Sequence, residues 1–328
     1  MKMELNREQA LHVAKCFKDY FENIGSTEEY MRDEKIKSLE SLPFSLFPPE
    51  DDLFSDFSMH PKDMDIEVTE IPHGQFQTLL DITSSHINKT PVGKNIQLVA
   101  KEKNTGKILG FIRLGSPVIY MKPRNELLGQ VWIQNEDTAK RFNASTVMGF
   151  AIVPSQPFGF NYLGGKLMAG ICTSHEVREM CNKKYDMNVC LFETTSLYGS
   201  TKQVSQYDGM KPFIRYQGLT ESDMTPMMHG ERYTNLKDYV ESKVGDLLAG
   251  DTSSTSRKLR TFTKMIALTK AALKGTPEGE AFSLTIENAK KLTEKKRYYT
   301  SNYGYNNYID YLNCKTDKLI PEIGRAHV

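Results

Sequence analysis

The chain has 328 residues, of which 39% are hydrophobic and 25% are charged, a balance that is typical of globular proteins and excludes a largely disordered chain. The formal net charge of +1 gives no overall electrostatic attraction to nucleic acid. The first residues carry scattered charges without the apolar stretch of a secretory signal, and no later stretch approaches the roughly 18 apolar residues of a membrane span. We therefore expect a soluble protein of the cytoplasm without a membrane partner.

The five cysteines are odd in number, widely spaced and without a CxxC pair. This pattern excludes a zinc ribbon and predicts reduced thiols, as expected inside a cell. The residues concerned are Cys16, Cys172, Cys181, Cys190 and Cys314.

The N-terminal part is predicted to be a helical and loop extension over residues 1–69. Residues 8–22 place seven apolar side chains on one helical stripe, which predicts an amphipathic packing helix that ends near Gly25. The stretch that follows is rich in proline, acidic residues and phenylalanine, which is typical of a loop that holds aromatic side chains against a core.

The core is predicted over residues 70–234. A helix is expected over residues 71–86, followed by a β-hairpin whose turn lies at residues 104–106. The apolar strand STVMGFAIV, a glycine-bearing loop, a helix and the strand NVCLFETT then predict a right-handed crossover between parallel strands. This topology places a ligand-sized opening at the start of the helix, and a strand pair in YDGMKPFIRYQGLT closes the core.

The C-terminal region, residues 235–321, is predicted to be helical, basic and aromatic. From Arg257 to Arg297 there are eleven Lys or Arg and four Glu, a local balance of 11 − 4 = +7. The run KKRYYTSNYGYNNYIDYL is the most unusual composition in the chain. Residues 322–328 are interpreted as a sequencing artefact, because IGRAHV is the in-frame translation of a common short-read adapter.

The order of these elements resembles that of the GNAT acyltransferases over residues 70–220. Within that superfamily the chain is similar to the Mom-like proteins of bacteriophages, which modify adenine in DNA. It also resembles the DruA proteins of a bacterial anti-phage system in three features: the turn at residues 161–164, the helix through Tyr185 and the run Leu191-Phe192-Glu193-Thr194. The resemblance implies an α/β fold with a GNAT-like mixed central sheet flanked by helices.

The loop that binds acyl-CoA in GNAT enzymes has the form Q/R-x-x-G-x-G/A. Here Gln156 and Gly159 fit its first half, whereas the second half is stretched to Gly164 and Gly165, a departure that weakens the implication of acetyl-CoA. At the start of a helix, backbone N–H groups and the positive dipole end can hold a phosphate of an acyl-CoA-like donor. The alternative is that the glycines only allow helix and strand to pack closely. The candidate cofactor-binding residues are Gly159, Asn161, Gly164, Gly165 and Lys166.

Three residues are candidates for catalysis. Glu193, at the end of an apolar strand, is a candidate general base toward an exocyclic amine, or a structural acceptor for a helix end or an arginine. Tyr207 is a candidate proton donor to a leaving thiolate, by resemblance to GNAT enzymes, or a core aromatic residue. Asp208 is a candidate carboxylate of a metal site, or part of a tight Asp-Gly turn.

A metal site is implied by resemblance only. Mom-like proteins carry a histidine proposed to bind iron, and His86 stands at the corresponding place before the hairpin. The alternative is an ordinary surface or capping histidine.

The basic segment near the C-terminus is the candidate nucleic-acid site. Its cations can neutralise phosphates, and its aromatic rings can stack on bases. The alternative is a solvated helix followed by a tyrosine-rich packing tail. The residues are Lys295, Lys296, Arg297, Tyr298 and Tyr299.

These features favour a phage-type, Mom-like transferase that adds a small acyl-type group to a nucleobase amine, with adenine the expected target, and so protects DNA against restriction. Such a protein would be phage-encoded and act in the cytoplasm of a bacterial host. The first alternative is a non-catalytic DNA-binding defence or counter-defence protein, whose sign would be a filled donor cleft beside an intact basic face. The second alternative is an acetyltransferase for a protein or a small amine.

Overall fold

The computed structural model describes residues 3–22, 32–33, 35–37, 39, 53–83, 93–130, 132–156, 158–196, 205–220, 227–228, 230–251, 256–292 and 295–322. The chain forms two compact units. The helical unit comprises Met1–Asp33 and Ser222–Glu294, and the sheet unit comprises Glu34–Glu221 and Lys295–Val328. Within the described ranges, no helix is long and apolar enough to cross a membrane.

The strands of the sheet unit, in chain order, are β1 (Ile66–Glu70), β2 (Asn95–Glu102), β3 (Lys107–Gly115), β4 (Thr146–Pro154), β5 (Leu191–Ser196), β6 (Arg215–Leu219) and β7 (Arg297–Ser301). The α-helices of both units are α1 (Arg7–Phe21), α2 (His73–Thr83), α3 (Lys122–Leu128), α4 (Glu136–Ser145), α5 (Phe158–Asn161), α6 (Gly164–Cys172), α7 (His175–Tyr185), α8 (Gly230–Val244), α9 (Arg257–Ala272), α10 (Pro277–Lys291) and α11 (Tyr308–Leu312).

The strands form one mixed sheet in the order β1-β2-β3-β4-β5-β7-β6. Only β4 and β5 are parallel neighbours among the pairs of this sheet, and the other neighbours are antiparallel. The predicted α/β fold, a mixed sheet flanked by helices, is therefore confirmed. The predicted hairpin is present as β2 and β3, and α6 and α7 connect β4 to β5 as the predicted crossover.

The sheet opens where β4 and β5 stop pairing. Their parallel pairing runs from Thr146 opposite Leu191 to Gly149 opposite Thr194 and goes no further, although β4 continues to Pro154. The register between β3 and β4 shifts by one residue at this place, so Phe150 is an extra residue in β4. Such a bulge bends the strand that carries it and often lies beside a functional site.

The helical unit is held together by a core of aromatic and aliphatic side chains. Phe17 of α1 lies at its centre, with ring centroids 5.2 Å from Phe262 and 5.6 Å from Phe282. A capping box between Asn6 and Gln9 starts α1 by satisfying N–H groups that the first helical turn leaves open. The predicted N-terminal helix thus has the expected apolar stripe, and its partners come from the C-terminal helices.

The basic and aromatic segment takes a different place from the one that the sequence predicts. The prediction groups residues 235–321 together, whereas in the structure β7 is a strand of the sheet between β5 and β6. The reason is pairing at long range: Tyr298, Tyr299 and Thr300 are buried, and β7 pairs with β5 more than 100 residues earlier. Aromatic and β-branched residues favour such half-buried strands.

The hairpin turn is organised by the buried carboxylate of Glu102. Its oxygens accept hydrogen bonds from the backbone N–H and the hydroxyl of Thr105, both at 2.8 Å, and from the side-chain amide of Asn104 at 3.0 Å. The residue before β1 joins the turn as well, through the N–H of Asp65 at 3.3 Å. Burial alone would raise the pKa of Glu102, but these donors outweigh it and lower the pKa from 4.5 to about 2.

Because the folded pKa is lowered, Glu102 stabilises the fold above its unfolded pKa, and this contribution is lost as the pH falls from about 4.5 toward 2. We expect Glu102→Gln to melt at a lower temperature than the wild type at neutral pH, and the gap to narrow steadily below about pH 4.5. Thermal unfolding followed by circular dichroism over this pH series measures the gap. An equal gap at about pH 3 and about pH 7 would contradict the assignment.

Candidate functional site

One of the predicted site residues, Tyr299, belongs to a row of residues that crosses the sheet. Gly149 of β4 lies opposite Thr194 of β5, Thr194 lies opposite Tyr299 of β7, and Tyr299 lies opposite Tyr216 of β6. We call this set, Gly149, Thr194, Tyr299 and Tyr216, the aromatic row. It starts where β4 and β5 stop pairing and ends at the edge strand, on the sheet face that also carries Tyr207.

Tyr207 lies over the inner end of the aromatic row. Its hydroxyl makes hydrogen bonds with the side chains of Gln206 and Thr194, and its ring lies 5.2 Å from that of Tyr299. The Thr194 hydroxyl in turn donates to the carbonyl of Gly149 at 3.0 Å. Burial raises the pKa of Tyr207 to about 12, so the phenol keeps its proton at neutral pH. These contacts fit the core aromatic alternative and also place the hydroxyl beside the opening of the sheet.

Asp208 ties the turn before β6 to β7. One carboxylate oxygen accepts from the Tyr299 hydroxyl at 2.9 Å and from the Arg297 guanidinium at 3.2 Å, and the other accepts from the N–H of Ser205 at 3.0 Å. Burial opposes ionisation, but these donors and the charge of Lys166 lower the pKa of Asp208 below its ordinary value. The carboxylate is thus engaged by donors, and Gly209 with φ +79° completes the Asp-Gly turn.

The glycines before α6 are largely explained by packing. A Cβ atom at Gly164 would lie 2.8 Å from both the Gly159 Cα and the Phe158 ring, and one at Gly159 would lie 2.6 Å from Pro154. At Gly165 the near atom is the flexible side-chain oxygen of Gln206, at 2.7 Å. Close packing therefore accounts for Gly159 and Gly164 without a bound donor.

The other cofactor-binding candidates lie at the two sides of this packed turn. Asn161 ends α5, and its side chain is outside the described part of the structure. Lys166 is in the first turn of α6, and its amine lies 3.4 Å from the position of a Cβ atom built at Gly209. Lys166 therefore brings a positive charge next to Asp208 and the turn that carries it.

Glu193 lies on the opposite face of the sheet in a buried ion pair. Arg124 of α3 donates to one carboxylate oxygen at 3.0 Å, and the Tyr298 hydroxyl donates to the other at 2.8 Å. Neither charged side chain has any solvent exposure. Burial raises the pKa of Glu193, while the Arg124 charge and the Tyr298 hydroxyl oppose this rise. The contacts match the structural alternative, an acceptor for an arginine, because no substrate can approach a carboxylate enclosed in this way.

Arg124 is held by more than its carboxylate. Its second terminal nitrogen donates to the carbonyl of Ile119 at 2.9 Å, and its guanidinium carbon lies 4.9 Å from the Phe142 ring centre and 5.6 Å from that of Trp132. Cation–π contacts of this kind stabilise a desolvated guanidinium. The buried arginine therefore joins α3 and α4 to the centre of the sheet.

The three candidate nucleic-acid residues of β7 divide between the two faces of the sheet because a strand alternates. Tyr299 belongs to the aromatic row, and Arg297 lies on the same face, where its guanidinium carbon is 4.6 Å from the Tyr216 ring centre. Tyr298 points to the other face, toward Glu193. Lys295 is exposed, and Lys296 is half-buried with its pKa lowered by burial. Tyr216 remains 43% exposed, so the outer end of the row faces solvent.

The sequence missed three residues of this arrangement: Arg124, Gln206 and Tyr216. Arg124 falls in a segment that reads only as a polar insertion, and nothing local predicts its distant carboxylate partner. Tyr216 lies in the predicted closing strand pair. It stands between the polar residues Arg215 and Gln217, and this alternation could have indicated that its ring lies on one face of a strand.

The metal site stays a prediction. His86 lies outside the described residues, and Asp208, its proposed partner, has both carboxylate oxygens engaged by donors, which does not fit a metal ligand. In the part of the chain that the structure describes, no group of three or more histidine, cysteine, aspartate or glutamate side chains is arranged to hold a metal ion.

Residues 52–209 match the family model described as Druantia protein DruA. The matched segment includes β1 to β5 and ends at the turn that carries Tyr207 and Asp208, and it supports the resemblance to DruA proteins. The Mom-like assignment stays a prediction. No curated protein and no solved structure matches the chain significantly.

Replacing Arg124 with methionine leaves the Glu193 carboxylate buried without its counter-charge. We expect the free energy of unfolding to fall by about 3–5 kcal/mol, the usual cost of breaking a buried ion pair from one side. Urea denaturation measures this loss, and the fluorescence of Trp132 reports it locally because Trp132 is the only tryptophan of the chain and lies against Arg124.

Two variants control for this experiment. Arg124→Met combined with Glu193→Leu should recover part of the loss, because no unpaired charge then remains buried. Lys140→Met removes an exposed partner of Glu136 and should change stability by less than about 1 kcal/mol. An equally small loss for Arg124→Met would contradict the role of the pair.

Proposed function

We propose that this chain is a DNA-binding protein of an anti-phage defence system, and that the outer end of the aromatic row is where the sheet unit contacts DNA. The DruA match supports the defence role. The single observation that carries the DNA contact is the arrangement of Arg297 between Tyr216 and Asp208: a guanidinium stacked on a partly exposed aromatic ring at a sheet edge.

This arrangement suits a nucleic-acid strand for two physical reasons. Aromatic side chains on an open sheet face stack on bases irrespective of sequence, and adjacent cations neutralise the phosphates that follow each base. The cations Lys166 and Arg297 both lie beside the carboxylate of Asp208, which is already engaged by its donors, so this cluster of three charges is positive on balance. Lys211, in the turn before β6, is exposed and adds to this charge.

Three structural features favour DNA binding over group transfer. Glu193 is enclosed in an ion pair, Gly164 is required by packing, and the Tyr207 hydroxyl is buried among protein partners. These are the features expected of a scaffold whose donor cleft is filled while its basic face is kept.

DNA binding is tested by fluorescence anisotropy with a labelled single-stranded oligonucleotide at several salt concentrations. Tyr216→Ala should weaken binding by about 1–3 kcal/mol, the contribution of one stacked base. Lys166→Ala should weaken binding and reduce the slope of log K against log salt by about 1. Both side chains are part of the surface rather than of the core, so folding should be retained.

The matched controls are Tyr216→Phe, which keeps the ring, and Lys264→Ala, which removes an exposed lysine of the helical unit. Both should bind like the wild type. The proposal fails if the wild type does not bind DNA, or if Tyr216→Ala and Lys166→Ala bind as well as the controls.

A second candidate is a base-modifying transferase, favoured by the position of Tyr207. Its hydroxyl, Thr194 and the Gly149 carbonyl meet where β4 and β5 separate, beside the start of α6. In this candidate an acyl-CoA-like donor lies at residues 164–166, and a nucleobase amine, with adenine the expected target, attacks its thioester carbonyl. The C–N bond forms as the C–S bond breaks, Tyr207 donates a proton to the leaving thiolate, and the proton that the amine loses restores the phenol of Tyr207.

Mass spectrometry of nucleosides from DNA co-expressed with the protein tests this candidate. A new acylated nucleoside, reduced about 100-fold or more in Tyr207→Phe, would support it, since general acids contribute at least this much. Unmodified nucleosides beside salt-sensitive DNA binding would leave the binding protein as the function.

A further inference from the structure

Two large apolar side chains protrude from the segment that leads into α6. Phe160 is 86% exposed and Leu163 is 68% exposed, the two highest values among the exposed large hydrophobic residues of the described chain. Only three positions separate them, at the end of α5 and at the residue that caps α6. We call this pair the apolar tip. Two large apolar side chains that are this exposed and this close in the chain suit a contact with a partner.

The segment that carries the apolar tip is held in place by the packing of its neighbours. Phe158 is buried, and the Tyr162 ring is stacked between those of Phe158 and Phe57, with centroid distances of 5.6 and 5.7 Å. The Tyr162 hydroxyl donates to the carbonyl of Met59 at 2.8 Å. The residues beside the tip are thus fixed in the core, so the exposed side chains are held outward by the packing of their neighbours.

The backbone of Leu163 supports the same interpretation. Leu163 has φ 52° and ψ 37°, a left-handed conformation that large side chains rarely adopt. Its carbonyl accepts from the N–H of Lys166 at 2.8 Å, which fixes this turn. Strained residues of this kind cluster at functional sites, because the surrounding structure must hold them in place.

The tip lies next to the positive surface that the proposed function uses. Leu163 and Lys166 belong to the same turn, Lys166 lies against Gly209, and the neighbouring Asp208 pairs with Arg297 under the Tyr216 ring. An apolar tip beside cations fits a partner that presents flat apolar faces and negative charge together. Nucleic acid has this combination in its bases and phosphates.

We propose that Phe160 and Leu163 insert between neighbouring bases of the bound DNA, a step that rests on the proposed function. Apolar side chains that enter a base step unstack it partly and bend the duplex. The phosphates beside the opened step would then lie near Lys166 and Arg297. The protein therefore prefers DNA whose bases are already unstacked, such as a mismatch or a junction between duplex and single strand.

The test uses duplex DNA with 2-aminopurine, whose fluorescence rises when the base leaves the stack, at a single position next to a mismatch. Wild-type protein raises this fluorescence at saturation. Phe160→Ala combined with Leu163→Ala abolishes the rise and weakens binding to the mismatched duplex by about tenfold, while Leu284→Ala, which removes an exposed leucine of the helical unit, behaves as the wild type. A further variant, Phe160→Trp, keeps an insertable ring and retains the rise.

The outcomes separate the two proposals. Salt-sensitive binding by the wild type without a rise in 2-aminopurine fluorescence overturns insertion and leaves DNA binding intact. An equal rise with the Phe160→Ala/Leu163→Ala variant overturns it as well. Loss of salt-sensitive binding altogether overturns the proposed function and, with it, the insertion. Thermal unfolding followed by circular dichroism confirms that each variant compared is folded.

Discussion

The buried ion pair between Arg124 and Glu193, closed by the hydroxyl of Tyr298, is the interaction on which the sheet unit depends. It joins α3, β5 and β7, three segments far apart in the chain. Two fully buried charges are stable only as a hydrogen-bonded pair, so each segment fixes the position of the others. Once Tyr298 points toward Glu193, the alternation of a strand directs Arg297 and Tyr299 to the opposite face.

That alternation connects the core to the surface. On one face β7 contributes Tyr298, whose hydroxyl donates to Glu193. On the other face it contributes Arg297 and Tyr299, which donate to Asp208 and pack against Tyr216. Residues 295–299 therefore have features of both alternatives, a nucleic-acid site and a packing segment. Tyr298 packs in the core, whereas Arg297 lies at the surface. The carboxylate that the sequence presents as a general base is, in its contacts, the partner that positions this segment.

The sequence predicted what depends on local pattern. The apolar stripe of α1, the hairpin of β2 and β3 with its turn at residues 104–106, and the crossover from β4 to β5 all follow from periodicity and turn residues close together in the chain. Tyr207 was named by resemblance to GNAT enzymes and Asp208 as a carboxylate of a metal site, and both roles stay predictions. The match of residues 52–209 to the DruA model covers the hairpin and the crossover, whereas α1 lies outside it.

What the sequence could not predict depends on pairing between distant segments. The strand character of β7 is hidden in a basic run that follows three helices, and only its pairing with β5 and β6 reveals it. Arg124 has no local signal, because its role arises from a carboxylate that is 69 residues away. The protruding Phe160 and Leu163 are equally hidden, since an apolar residue before a helix is ordinarily expected to be buried.

DNA bound at the outer end of the aromatic row and at the adjoining apolar tip would cover both parts of the sheet unit. Hydrogen exchange followed by mass spectrometry, with and without a single-stranded oligonucleotide, measures this protection. We expect DNA to slow exchange in peptides covering residues 158–166, 205–219 and 295–301, and to leave α9 and α10 unchanged. Slowed exchange confined to α9 and α10, or no change in any peptide at a saturating DNA concentration, would contradict it.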